Sequence, residues 1–179
     1  MTVSPRREMV LQEIDATGNG FLAALAGVGE AEAAVKPAEG KWSVAETAEH
    51  TTVVLQSITK LVTKKLLGLP LPPRESAPRI TDDQIVRLMF DRSRVRPAPD
   101  VVNPTGRYGS LAATIEVFTS TRAELEAWIR ATDADLREYG SPHPVLGTLD
   151  GVQWLLFAAA HTERHTRQIR EVREALSAR

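Results

Sequence analysis

An all-α four-helix bundle is the fold this sequence predicts, and three observations carry that expectation. Four long stretches repeat apolar residues at intervals of three and four, the period of a helix that buries one face. No stretch shows a convincing alternation of apolar and polar residues, the period of a half-buried strand. Between the long stretches lie segments rich in proline and glycine, which break helix interiors. At 179 residues the chain suits one domain spanning its whole length, with enough material to bury a substantial core.

The first helix begins at Ser4 and Pro5, because a serine hydroxyl caps orphan amides and proline is tolerated at the first helical position. Its apolar face runs through Val10, Ile14, Thr17, Phe21, Leu25 and Val28. Gly18 and Gly20 each weaken this helix by about 1 kcal/mol relative to alanine, which predicts either a close neighbour or a bend. Pro37 and Gly40 interrupt the chain ahead of Ser43-Val-Ala-Glu46, a capping box that starts the second long helix. This helix carries Thr47, His50, Val54, Ile58 and Leu61 in phase, so His50 lies among apolar neighbours.

Gly68 to Pro78 holds four prolines and is a connection. Thr81-Asp-Asp-Gln84 caps a short helix that reaches about Arg94, and Pro97, Pro99 and Pro104 enforce a second extended connection. The third long helix is capped by Ser110 and carries Leu111, Ile115, Phe118, Leu125 and Ile129, with Arg122 interrupting the stripe and therefore snorkelling or pairing inside. Asp133 to Gly147 is polar and turn-rich and reads as a loop. Thr148 and Asp150 open the last helix, where negative charge suits the positive helix end. Its inward stripe is Trp154, Ala158, His161, His165, Ile169, Val172 and Leu176.

Composition narrows the function. Lys and Arg number 22 against 23 Asp and Glu, with no concentrated basic stripe, which disfavours nucleic acid as a partner. Cysteine is absent, so thiolate ligands, disulfides and a cysteine nucleophile drop out, leaving histidine and carboxylate for any transition metal. No apolar run approaches the ~20 residues that span a bilayer, and the start lacks an apolar signal-peptide core. The expectation is a soluble cytoplasmic protein with no membrane contact.

Three of only four histidines fall on inward faces of predicted long helices. His161 and His165 are one helical turn apart, with Cβ atoms roughly 5–6 Å from each other, close enough to converge on one ion. A single inward histidine is ordinarily a core residue hydrogen-bonded to a backbone carbonyl or a carboxylate. Three change the balance, because one divalent ion satisfies all of them together. Residue phase alone leaves both readings open. Glu163 does not make a zinc-protease motif, which needs glutamate directly after the first histidine; here it points away from the stripe toward solvent or an ion pair. Glu46 lies one turn before His50 on the same face and is a weak candidate for a general base, although its capping role already explains it. Glu49 is expected to face solvent. His143 sits between two prolines in a loop and is left outside the ligand set. Trp42 and Trp154 read as packing residues, and Asn103, Arg107 and Tyr108 as loop residues able to line a pocket mouth.

Lys41-Trp-Ser-Val-Ala-Glu-Thr-Ala-Glu-His50, Pro142-His-Pro-Val-Leu-Gly-Thr148 and His161-Thr-Glu-Arg-His-Thr-Arg-Gln-Ile169 together resemble the DinB-like (damage-inducible, YfiT-like) superfamily. Its patterns are W-S-x-x-E-x-x-x-H at a helix start, a short His-Pro…Gly segment, and H-x-x-x-H-x-x-Q-I in the final helix. The resemblance runs from the first helix to about Val172. It implies an up-down-down-up bundle with one long crossover, and a divalent metal, commonly zinc or nickel, on His50, His161 and His165 with water in the remaining positions. Relatives include transferases and isomerases that use a low-molecular-weight thiol, mycothiol or bacillithiol. The expected function is a metal-dependent enzyme acting on a small-molecule substrate by activating water or such a thiol, hydrolase or thiol-dependent S-transferase. The alternative is a non-catalytic, metal-stabilised bundle that binds a partner or small ligand, with a homodimer compatible with either.

Overall fold

The capping signals sit where the long helices begin. A computed structural model describes residues 5–73, 79–91 and 99–178. It contains α1 (Pro5–Leu25), α2 (Glu30–Ala33), α3 (Val44–Lys64), α4 (Asp82–Phe90), α5 (Leu111–Ala131) and α6 (Gly151–Ser177), with a hairpin of β1 (Gly140–His143) and β2 (Gly147–Asp150) before α6. At α3 the Ser43 hydroxyl accepts from the Glu46 amide at 3.2 Å and the Glu46 carboxylate accepts from the Ser43 amide at 2.9 Å. Thr81 and Gln84 close the same box at α4, and Asp150 and Gln153 at α6. The Ser110 hydroxyl accepts from Ala113 N–H at 3.0 Å to start α5. Each box satisfies two backbone groups that a helix end leaves orphaned.

The long helices pack as an up-down-down-up bundle. Phe21 stacks on Phe118 at 4.3 Å between ring centroids, and Gly18 lies against Arg122, so α1 and α5 run antiparallel. Gly20 approaches Arg170 and the Ala24 carbonyl accepts from Arg173, so α1 and α6 run the same way. His50 meets His161 while Leu66, just past α3, meets Gly151, which sets α3 antiparallel to α6. Helices α3 and α5 are therefore parallel, and parallel neighbours need a long crossover, supplied by the proline-rich chain between them.

Gly18 marks a close neighbour. A Cβ there would lie 2.5 Å from Arg122 Nη1 and 2.6 Å from its Cδ. Arg122 is half-buried where α1 meets α5, donating to the exposed Asn19 Oδ1 at 2.8 Å and facing Glu126 at 3.3 Å. The core holds Phe21, Leu25, Phe118, Leu125, Ile129, Leu155 and Ile169.

Some expectations are corrected. The segment read as a loop before α6 contains the antiparallel hairpin, with Ser141 opposite Leu149 and Pro142 opposite Thr148. Its strands are four residues each and lack apolar alternation, so no strand period was there to read. Helix α1 ends at Leu25 rather than continuing through Val28, because the chain turns at Gly27. Ser4 and Arg94, the expected ends of two helices, lie outside the described residues; α4 itself closes at Phe90. Among the described residues no helix is long and apolar enough to cross a membrane.

Candidate metal centre

The second turn of α3 crosses the middle of α6, and the crossing buries His50, His161 and His165 to 4%, 8% and 7% exposure. His50 Nδ1 lies 2.8 Å from the Val102 carbonyl oxygen. A carbonyl only accepts, so the ring proton sits on Nδ1 and the Nε2 lone pair points into the crossing. That Nε2 is 3.2 Å from His161 Nε2. His165 Nδ1 lies 2.9 Å from the Gln168 side-chain oxygen, an acceptor that puts the ring proton on Nδ1 and the lone pair on Nε2. Ring centroids are 5.1 Å apart for His50 and His161, 4.7 Å for His50 and His165, and 4.4 Å for His161 and His165. Each histidine offers a ligand nitrogen, and these nitrogens lie within 4.8 Å of one another.

The cluster fits one divalent ion. Two nitrogens bonded to one zinc at ~2.0–2.1 Å with a tetrahedral angle are about 3.3 Å apart, close to the His50–His161 separation. Two buried imidazoles approach that closely with benefit only when a proton or a cation lies between their nitrogens. Burial, reinforced by the neighbouring His165 and His50, holds His161 well below the usual histidine pKa. Burial also lowers His50, against the opposing pull of the Val102 carbonyl. Neutral imidazole is the form a metal takes.

The rim is aromatic on two sides. Trp42 packs on His50 at 4.9 Å and His165 at 6.5 Å between centroids, and Phe157 packs on His161 at 5.5 Å. A third side is the crossover segment 99–109, which carries the Val102 carbonyl. Glu49, expected in solvent, is buried at 5% exposure beneath this segment. Its Oε1 accepts from Thr105 N–H at 2.7 Å and Arg107 N–H at 3.3 Å, its Oε2 from Gly106 N–H at 2.8 Å, and Arg107 Nε stands 3.3 Å from Oε1. Burial alone would raise the Glu49 pKa, but the amides of Thr105, Gly106 and Arg107 outweigh it and hold the carboxyl below its ordinary value. The helix face is wider than the apolar stripe because the crossover covers its flank, a long-range event with no local signal.

Of the other sequence candidates, Glu46 has its carboxylate committed to the Ser43 amide and to Lys36 Nζ at 2.8 Å. Glu163 pairs with Arg167 at 2.7 Å on the outer side of α6. Asn103 and Arg107 join the crossover segment, where Arg107 meets Glu49 and donates to the Asn103 carbonyl at 3.4 Å, and the Tyr108 hydroxyl meets Gln56 at 2.5 Å. His143 stays outside the cluster; its Nδ1 accepts from the amides of Val145 and Leu146, and its ring packs on Trp154 and Phe157. Trp154 is a packing residue whose indole N–H donates to the Ser141 carbonyl at 3.3 Å.

Fold and cluster together define an up-down-down-up helical bundle with three converging histidines at the crossing of its second and last long helices. The chain belongs to the DinB superfamily, whose sequence profile matches residues 13–169. It is 25% identical over 152 residues to the uncharacterised protein YuaE of Bacillus subtilis (strain 168), covering 85% of this chain and 90% of that one. Two solved structures share the fold. TT2238, a four-helix bundle protein, superposes with a TM-score of 0.59 at 20% identity over 92% of this chain and 98% of the other. YfiT from Bacillus subtilis, described as a probable metal-dependent hydrolase with an unusual four-helix bundle topology, gives a TM-score of 0.54 at 16% identity over 99% of this chain and 91% of its own.

Proposed function

We propose that this protein is a divalent-metal-dependent enzyme in which His50, His161 and His165 hold one ion and leave a coordination position open to water or a low-molecular-weight thiol. The observation that supports it is the convergence of three buried ring nitrogens with no fourth histidine or carboxylate joining them among the described residues. Three protein ligands with a free position is the pattern of catalytic zinc sites, whereas structural sites are closed by a fourth. Zinc and nickel both suit an imidazole set.

The ion, when bound, would supply an undiminished +2 charge that acidifies a small nucleophile and stabilises negative charge developing on an electrophilic substrate. The chain's own residues hold and enclose that position. The Val102 carbonyl and the Gln168 amide fix two imidazole orientations through their Nδ1 protons, the usual support for a ligating histidine. Trp42 and Phe157 exclude water from two sides, which strengthens the electrostatics within. Glu46, engaged by Ser43 and Lys36, orients the start of α3 rather than taking a proton. Hydrolysis by water and S-transfer from mycothiol or bacillithiol make the same demand on these residues, and since the chain has no cysteine any thiol arrives as a cosubstrate.

The test is elemental analysis of tag-free protein beside a His50→Ala, His161→Ala, His165→Ala variant, with folding of both checked by circular dichroism. Near-stoichiometric metal in the wild type, lost in a folded triple variant, is the expected result. A wild type that stays metal-free after refilling with zinc or nickel would end the enzyme reading and return the histidines to the core.

A further inference from the structure

We propose that Glu49 is a positioning residue for His50, acting through the 99–109 segment rather than through any contact with substrate or metal. This deepens the metal-enzyme reading and rests on it for its functional meaning. Neighbouring residues of α3 grip the same segment in opposite senses: the Glu49 carboxylate accepts from the backbone amides of Thr105, Gly106 and Arg107, while His50 Nδ1 donates to the Val102 carbonyl. The amides converge because the chain turns at Gly106, whose φ of +76° is a left-handed conformation that a side chain disfavours. Three successive amides around one carboxylate form an anion nest, and here the anion belongs to the protein.

The consequence for the centre follows from the acceptor that His50 meets. With Val102 held in place, the ring proton belongs on Nδ1 and the ligand lone pair on Nε2. If the segment lifts, nothing obliges that tautomer, and Nδ1 loses the partner that orients the ring. Glutamate is the side chain this demands. Glutamine keeps one acceptor oxygen but turns an NH2 toward backbone N–H groups, setting donor against donor in a buried place. The grip is at Thr105 to Arg107, while its effect is read at His50.

The experiment compares wild type, Glu49→Gln, Glu49→Ala and Glu30→Gln. Glu30 accepts from the amides of Leu111 and Ala112 at 2.8 and 3.0 Å, so its variant loosens the start of α5 and leaves the Glu49 grip intact. Two readouts are taken on folded protein. The first is the His50 tautomer in metal-free protein from nitrogen-15 imidazole shifts, with hydrogen exchange at Thr105 to Arg107. The second is zinc affinity by chelator competition. In Glu49→Gln and Glu49→Ala, His50 should leave the pure Nδ1–H form, the three amides should lose protection, and zinc should bind about 10–100-fold more weakly, the usual effect of removing a partner that orients a ligand. Glu30→Gln should hold the wild-type tautomer and stay within about twofold in affinity. An unchanged His50 tautomer in both Glu49 variants would overturn the proposal. Absence of zinc binding by wild type would overturn the metal reading instead, and the tautomer measurement would still decide the role of Glu49.

Discussion

Helix α6 carries two polar clusters about two turns apart, the first half-buried and the second buried. At its start, Asp150 and Gln153 meet Arg137 and Asp82; farther along, His161 and His165 meet His50. The first closes on itself. Arg137 bridges Asp82 and Asp150, the latter at 2.7 Å, and the Gln153 amide donates to the Ile80 carbonyl at 2.7 Å and to Asp82 at 3.2 Å. Burial works against the Arg137 charge, yet its hydrogen bonds to Asp82 and Asp150 raise its pKa further above the ordinary value, and the bond to Arg137 is the leading cause that lowers Asp82. The second cluster turns ring nitrogens inward with no carboxylate among them. A polar cluster that supplies its own counter-charge is a joint; a buried one that gathers lone pairs without such a charge has the chemistry to take a cation.

The contrast is open to attack at either cluster. The largest effect should come from His161→Leu, which is expected to weaken zinc or nickel binding at least ~100-fold in chelator competition. The same variant, metal-free, should melt at or above the wild-type temperature, because a desolvated imidazole gives way to an apolar side chain. A metal-free protein that melts well below wild type would make the histidines part of the joint and erase the distinction. Loading sharpens it from the other side. Free zinc at 100 times the wild-type Kd should add about 2.7 kcal/mol to the unfolding free energy of the wild type and no more than about 0.4 kcal/mol to that of His161→Leu, measured by urea titration.

Arg137→Met reverses the logic. It strands two carboxylates and should lower the unfolding free energy by about 2–3 kcal/mol, below the full cost of breaking a buried pair because Asp82 is partly solvated. Zinc affinity should stay within about twofold; a larger loss would mean that the two clusters are coupled along α6.

The smallest effect concerns His143, which lies between the clusters on the hairpin. Burial pushes its pKa down from 6.5 to about 4. A depressed folded value means that its contribution to stability is complete above pH 6.5 and is lost as the pH falls toward about 4. The His143 Cε1–H resonance should titrate near the lower value; a midpoint near the ordinary one would place the ring in water.

Much of this was legible in the residues. The boxes at Ser43 and Thr81 and the cap at Asp150 located three helix starts, since a cap is settled by residues three positions apart. The phase of His50, His161 and His165 put them on inward faces, and the structure brings those faces together. Gly18 left a close neighbour and a bend both open, and the structure supplies the neighbour, Arg122. Glu49 was misread because phase describes a stripe of fixed width, whereas every residue from 47 to 55 is buried once the crossover segment lies over α3. The hairpin was missed because its pairing depends on a turn and on neighbours such as Leu71, whose Cδ1 would sit 2.2 Å from a Cβ at Gly140, and not on any alternation within the strands.

The amino-acid sequence by itself determined the four long helices and α4, most of their limits, the faces they bury and the imidazoles those faces carry, because capping and periodicity act over a few residues. Tertiary structure alone decided which groups answer which. His50 and Val102 are 52 residues apart, and Glu49 and Thr105 are 56 apart. Contacts of that span form when a long loop closes over a packed bundle, so they depend on the whole arrangement of helices and leave no local mark on the chain.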